Sequence, residues 1–243
     1  MIVIPMAGLS RRFSEAGYLV PKYMLQARGQ SLFAHSVMSF KKYFSDTPFL
    51  FIARDVNHTS EFVHSEVKKM GIQKYHLVNL TNPTAGQAET VSLGLTQARV
   101  TELEPITIFN IDTFRPYFEF PTEFNLSEIA GYLEVFRGRG DNWSYVKADS
   151  TRENRVIETA EKIQISDLCC TGLYHFGSVS LFREAYLSFL ESQKTQAKYK
   201  EHFIAPIYNQ LIARNLDVRF TMIDRKQVIF CGVPSEYLDF LES

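Results

Sequence analysis

Ile2-Val3-Ile4-Pro5-Met6-Ala7-Gly8-Leu9-Ser10-Arg11-Arg12-Phe13, closed downstream by Pro21-Lys22, is the stretch of this chain whose reading decides the fold. An unbroken apolar run predicts a buried strand over residues 2–6, and the small residues after it predict a turn. A turn with little side-chain bulk lets backbone N–H groups come close to a phosphate. The Arg12 guanidinium suits charge developing on a phosphorus centre, and the compact Lys22 ammonium suits a neighbouring phosphate. Taken alone, the same residues also describe a strand and turn with solvated arginines. Gly-Lys-Ser/Thr is missing, so the turn is no P-loop, and without G-x-G-x-x-G it is no dinucleotide fingerprint.

Outward from this stretch, strands and helices alternate. Residues 31–44 predict an amphipathic helix with Leu32, Phe33, Val37, Phe40 and Phe44 on one face. Strands follow at 49–52, 75–78 and 106–110, separated by helices at 58–70 and 86–99. Helices of this length between strands imply right-handed βαβ units and a mainly parallel sheet, with the ligand site at the strands' carboxyl ends. From about residue 129 the character changes to short strands at 130–136, 144–147, 155–159 and 173–176. Helices are expected at 178–192, 199–214 and 234–241, with late strands at 218–223 and 228–230. The expected organisation is one domain over 1–243, with a nucleotide-binding part at about 1–125 and an acceptor-binding part at about 126–243.

Composition narrows the class. At 243 residues the chain buries a substantial core, and its formal net charge of −1 lacks the basic excess of a general nucleic-acid binder. No apolar run reaches the roughly 18 residues of a membrane span, and the N-terminal run is short for a signal peptide. Cys169, Cys170 and Cys231 form neither a disulfide framework nor a zinc set. A reduced, cytoplasmic, soluble protein is expected, with no membrane or nucleic-acid partner.

Four further constellations carry chemistry. Asp112, in Asn110-Ile111-Asp112, places a carboxylate just past a buried strand, where it would hold Mg²⁺ on a polyphosphate or cap a turn. Thr84-Ala85-Gly86-Gln87-Ala88-Glu89-Thr90-Val91 is a small-residue turn opening a helix; Gly86 permits close approach and Gln87 offers an amide to a base edge or hydroxyl. Glu161-Lys162 precedes Thr171-Gly172-Leu173-Tyr174 and by itself would be a solvated pair. Gly138-Arg139-Gly140-Asp141-Asn142-Trp143-Ser144 sets Asp141 and Asn142 beside the single Trp of the chain. It reads equally as a small polar substrate's site and as a turn before a core Trp. The six histidines are scattered and none is assigned to metal or catalysis.

Pro5-Met6-Ala7-Gly8-x-x-x-Arg12-Phe13 with Pro21-Lys22, Asp112, Gly86-Gln87-Ala88 and Thr171-Gly172-x-Tyr174 together resemble the sugar nucleotidyltransferases, the NDP-sugar pyrophosphorylase-like superfamily. Ala7-Gly8-Leu9-Ser10, Asn110-Ile111-Asp112-Thr113 and the run Asp141-Asn142-Trp143-Ser144 are most similar to its bacterial capsule and surface-polysaccharide members. Some of those resemble CTP:phosphoglutamine cytidylyltransferases of the capsular phosphoramidate pathway. The resemblance implies a Rossmann-like, glycosyltransferase-A-like α/β fold in three layers, with a mixed, mainly parallel sheet and a small antiparallel acceptor-binding lobe. It implies an enzyme that transfers NMP from an NTP to a phosphorylated small acceptor, releasing pyrophosphate, with Mg²⁺ as cofactor. By the same match Arg12, Lys22, Asp112 and Lys162 would be catalytic, Asp112 also holding the metal. Met6, Ala7, Gly8, Leu9, Ser10, Thr81, Gly86 and Gln87 would bind the nucleotide, and Asp141, Asn142, Trp143, Glu161, Thr171 and Gly172 the acceptor.

Two positions depart from the family pattern. Phe230 stands where the common members carry a late metal Asp, so that a single carboxylate suffices, an unmatched one such as Asp224 contributes, or metal binding is impaired. Relatives that transfer uridylyl or thymidylyl groups read the base with a Gln five residues before the loop Gly, and here that position is Thr81. One short hydroxyl cannot make a Gln's paired amide contacts, so CTP is the expected donor. A sugar-1-phosphate thymidylyl- or uridylyltransferase is the nearest alternative. A catalytically silent nucleotide or sugar-phosphate sensor is a second, though a sensor has no need to keep Arg12, Lys22, Asp112 and Lys162 together.

Overall fold

The computed structural model of the protein describes residues 1–195 and 199–243. The apolar runs become strands β1 (Ile2–Pro5), β2 (Phe49–Ala53), β3 (Tyr75–Asn79) and β4 (Ile106–Phe109), joined through helices α1 (Arg11–Glu15), α2 (Leu32–Val37), α3 (Thr59–Met70) and α4 (Gln87–Gln97). The second half adds β5 (Gly131–Arg137), β6 (Ser144–Ala148), β7 (Val156–Glu161), β8 (Leu168–Phe176) and β9 (Val218–Met222), with α5 (Val179–Thr195), α6 (Tyr208–Ala213) and α7 (Pro234–Glu242). Among the described residues, nine strands form one sheet in the order β7-β6-β8-β4-β1-β2-β3, with β5 on β8 and β9 on β5. The first half is parallel: β1 lies between β2 and β4, and β3 flanks β2. The second half enters antiparallel through β8 against β4.

Side-chain alternation makes the three layers. Along β1 and β2, Ile2, Ile4, Phe49 and Phe51 face α2 and α3, packing with Phe33, Val37, Val63 and Val67. Val3, Leu50 and Ile52 face the opposite way, onto Val91 and Leu95 of α4. Strands covered on both faces are apolar throughout, which explains the unbroken runs in the sequence. A smaller cluster supports the first turn: Phe13 of α1 is buried against Phe114, Tyr237 and Phe240.

Three expectations are corrected. The helix expected over 31–44 is α-helical only to Val37 and continues as a 3₁₀ segment over Met38–Tyr43, with Phe40 out of helical geometry. The helix expected over 199–214 is confined, among the described residues, to the 3₁₀ turn Ala205–Ile207 and α6; residues 196–198 lie outside the described part. Strand β8 begins at Leu168, five residues before the expected Leu173, and all of it is buried.

Candidate active site

The strands β1 and β4 end on the same side of the sheet, and one cleft of about 1000 Å³ opens there. Met6, Ala7, Gly8, Leu9, Ser10 and Arg12 line it from the turn after β1, and Asn110 and Asp112 from the turn after β4. The first turn is shaped by Ser10, whose φ of 50° lies in the left-handed region, and is tied across by the Lys22 amide donating to Ser10 Oγ at 3.3 Å. Phe13, buried one residue on, anchors α1 and leaves Arg12 exposed at the cleft.

Lys22 Nζ lies 2.5 Å from Asp112 Oδ2, with about a fifth to a quarter of each side chain exposed. The two groups separated by 90 residues thus meet at one point of the cleft. The Asp112 backbone is held by Cys231, whose amide donates to its carbonyl at 2.8 Å, and by pairing of Thr113 with Phe230. Asn110 accepts a 2.6 Å hydrogen bond from Gln87 Nε2 at the start of α4. Gln87 therefore presents its amide to the turn after β4, joining the two motifs. Gly172, at φ +97°, permits the close passage of β8, since a Cβ there would lie 2.6 Å from Asn110 Nδ2.

Gly86 also lines the cleft, but its missing Cβ serves the protein's own packing. A Cβ would lie 2.5 Å from the backbone nitrogen of His202, and the His202 carbonyl accepts from the Ala88 amide at 2.8 Å. This contact brings Lys200, Glu201 and Phe203 to the cleft beside the α4 N-terminus. Gly86→Ala is therefore expected to lower the melting temperature, on the scale of about 1–3 kcal/mol for backbone strain at such a position, and to depress turnover with it. A thermal melt beside an activity assay checks both.

Glu161, Lys162, Thr171, Asn142 and Trp143 complete the far wall. Glu161 is only 8% exposed and accepts a hydrogen bond from Ser144 Oγ. Burial pushes its carboxyl above the ordinary range, the Ser144 bond and Lys162 opposing the shift. A carboxylate with a raised folded pKa destabilises the folded state when ionised, and the penalty disappears as pH falls below its unfolded value. Glu161→Gln should therefore melt no lower than the parent at neutral pH and lose any advantage under acid conditions, while acceptor turnover falls. Paired melts across pH measure the difference.

Lys162 adopts φ +56°, its amide bonded to the Trp143 carbonyl and its Nζ 4.7 Å from the Phe203 ring centre. The Thr171 hydroxyl is engaged inside the protein, donating at 3.1 Å to Glu134, which is buried against Arg115. Two expected contacts fall outside the lining: Thr81 and Asp141 are exposed on neighbouring turns. Asp224 caps a 3₁₀ turn by accepting from the Lys226 amide and is likewise outside it. The sequence reading missed Lys200, Glu201, Phe203 and Glu236. Glu236 Oε2 accepts from the Gly232 and Val233 amides at 2.7 and 3.2 Å.

A crystal structure of a nucleoside-diphosphate-sugar pyrophosphorylase from Vibrio cholerae RC9 is 51% identical over 100% of both chains, with a TM-score of 0.95. The chain belongs to the nucleoside-diphosphate-sugar pyrophosphorylase family. The enzyme shares its fold with the inositol-1-phosphate CTP transferase of T. maritima, at 14% identity, 99% and 94% coverage and a TM-score of 0.74. It shares it also with UDP-glucose pyrophosphorylase of Acinetobacter baumannii, at 16% identity, 99% and 91% coverage and a TM-score of 0.68. No protein-family model matches the chain, and no curated protein matches it. The expected nucleotidyltransferase fold and class are thus met, and no helix among the enzyme's described residues is long and apolar enough to cross a membrane.

Among the enzyme's described residues no group of three or more His, Cys, Asp or Glu side chains forms a metal cage. A Mg²⁺ ion bound through one carboxylate and substrate phosphates needs none. Asp112 fits that demand: it opens on the cleft, and its Oδ2 already draws the Lys22 ammonium to 2.5 Å.

Proposed function

We propose that the enzyme transfers a nucleoside monophosphate, with CTP the preferred donor, to a phosphorylated small acceptor in capsule or surface-polysaccharide synthesis. The observation that carries the reading is the convergence of Arg12, Lys22, Asp112 and Lys162 on one cleft. An acceptor phosphate oxygen attacks the α-phosphorus in line, the new P–O bond forms as the α–β bridge breaks, and pyrophosphate leaves. The nucleophile is already anionic, so the chain supplies positioning and charge rather than a general base. Arg12 steadies the β- and γ-phosphates, Lys22 the α-phosphate and Lys162 the acceptor phosphate. Asp112 would hold Mg²⁺, which supplies charge neutralisation on the phosphates when bound.

In this reading the donor groups Arg12, Lys22 and Asp112 precede residue 125 and the acceptor groups Glu161 and Lys162 follow it, all five lining the one cleft. With Thr81 outside the lining, base reading is left to groups around Ala7-Gly8 and Gly86, which line the cleft. Pyrophosphate release measured with the four ribonucleotides and dTTP, against a panel of phosphorylated acceptors, tests the proposal. CTP is expected first, UTP or dTTP next and purines last; a preference for ATP or GTP overturns the base assignment.

A further inference from the structure

A second cavity, of about 240 Å³, opens beside the turn after β1. It shares Met6, Ala7, Gly8, Leu9, Ser10 and Tyr23 with the cleft, so the two meet around one short turn. Arg54, the residue after β2, lines this cavity and not the cleft. The exit of β2 is fixed to both neighbours: the Met6 amide donates to the Ile52 carbonyl and the Leu80 amide to the Ala53 carbonyl, each at 2.8 Å. Arg54 is half-buried, and its Nε–H is shut off from solvent with no hydrogen-bond partner. The adjacent acid is already engaged, since Asp55 Oδ1 accepts from the Ser60 amide at 3.0 Å at the start of α3. A buried donor left unpaired costs free energy, and a ligand acceptor set against it recovers that cost on binding.

We infer that Arg54 selects the donor nucleotide, its guanidinium donating to O2 and N3 of a cytosine base. The inference rests on the nucleotidyl-transfer reading above and deepens it by naming the residue that chooses the base. In the sheet, β1 lies between β4 and β2. Asp112 therefore leaves on one side of the turn after β1 and Arg54 on the other. A nucleotide with its phosphates at Arg12, Lys22 and Asp112 extends its base across that turn to Arg54. Cytosine presents two adjacent acceptors, O2 and N3, and arginine presents only donors, in a fixed fork that matches such a pair. Uracil and thymine carry a hydrogen on N3, so the same fork would set donor against donor. Thr81 follows β3, one strand farther from the turn, and has no fork to offer. Val20 and Val56 line the same cavity and are exposed, so a base seated there also removes apolar surface from water.

The test measures pyrophosphate release from CTP, UTP and 3-deaza-CTP, whose ring carries C–H in place of N3, with the acceptor that turns over best. The parent should favour CTP over both by about tenfold or more, the scale of one charge-assisted hydrogen bond, carried mainly by KM. Arg54→Met keeps a long side chain and removes every donor. It should bring CTP down to the level of 3-deaza-CTP and leave UTP nearly unchanged. Arg54→Lys, charged but without the fork, should recover little of the preference. Titration calorimetry with the α,β-methylene analogues of CTP and UTP should show the same split in affinity without turnover. The comparison of CTP with 3-deaza-CTP needs no variant, so it decides even where Arg54→Met fails to fold. If the parent uses 3-deaza-CTP as well as CTP, or Arg54→Met loses CTP and UTP equally, the role of Arg54 is overturned while the transferase reading stands. A parent preference for UTP, or for GTP with its own adjacent acceptors N7 and O6, overturns cytosine selection. No pyrophosphate from any nucleotide and acceptor overturns the transferase reading and this one with it.

Discussion

Asp112→Asn is expected to abolish Mg²⁺-dependent turnover while leaving the melting temperature nearly unchanged. The substitution keeps the side chain's shape and removes its charge. Asp112 lies at a strand end and not in the core, and its carboxylate is about a quarter exposed. Its ion pair with Lys22 is therefore partly solvated, and such pairs contribute at most about 1 kcal/mol to stability. The backbone contacts that hold the turn, from Cys231 and Thr113, do not involve the carboxylate. Pyrophosphate release across a Mg²⁺ titration, beside a thermal melt, separates the two effects. Near-normal turnover in the folded variant would remove Asp112 from the metal site.

Lys22→Ala is expected to reduce turnover by about two or more orders of magnitude, the scale of losing one preorganised charge contact. Arg12→Ala should fall by a similar factor. Lys22 differs from Arg12 in having an internal partner, since its ammonium rests on Asp112 until a phosphate competes for it. Its loss therefore leaves Asp112 unpaired, and Lys22→Ala should change the Mg²⁺ dependence of turnover where Arg12→Ala does not. Lys22→Arg should also be impaired, because a planar fork does not reproduce a compact ammonium 2.5 Å from a carboxylate oxygen. Full activity in both alanine variants would place the chemistry elsewhere.

Strands β1, β2, β3 and β4 were legible in the sequence because each is a short apolar run bounded by turn residues, and α3 and α4 because their apolar positions recur at helical spacing. The motifs after β1 and β4 were legible for a related reason: in a parallel sheet the chain leaves every strand on the same side, so both turns must face one crevice. Cysteines, threonine and glycine over residues 169–172 masked the first part of β8, which pairs with β5 along one edge and with β4 and β6 along the other and is buried along its whole length. The apolar residues after 199 were equally ambiguous. They bury against the α4 N-terminus as an irregular segment, because Gly86 leaves room for the His202 backbone.

The local pattern of this sequence by itself determined the βαβ half and the small-residue turn after β1, whereas Asp112 and Lys162 were singled out only by the family resemblance. It could do so because periodicity and turn chemistry act over a few residues. Only the tertiary structure decided that Lys22 rests on Asp112, that Thr81 and Asp141 stand outside the cleft, and that Phe230 meets Trp143. Each of these depends on strand pairing between segments far apart in the chain, as when Phe230 is set beside Thr113. Such pairing is selected by the burial of whole faces, and no short stretch of sequence records which distant segment will cover it.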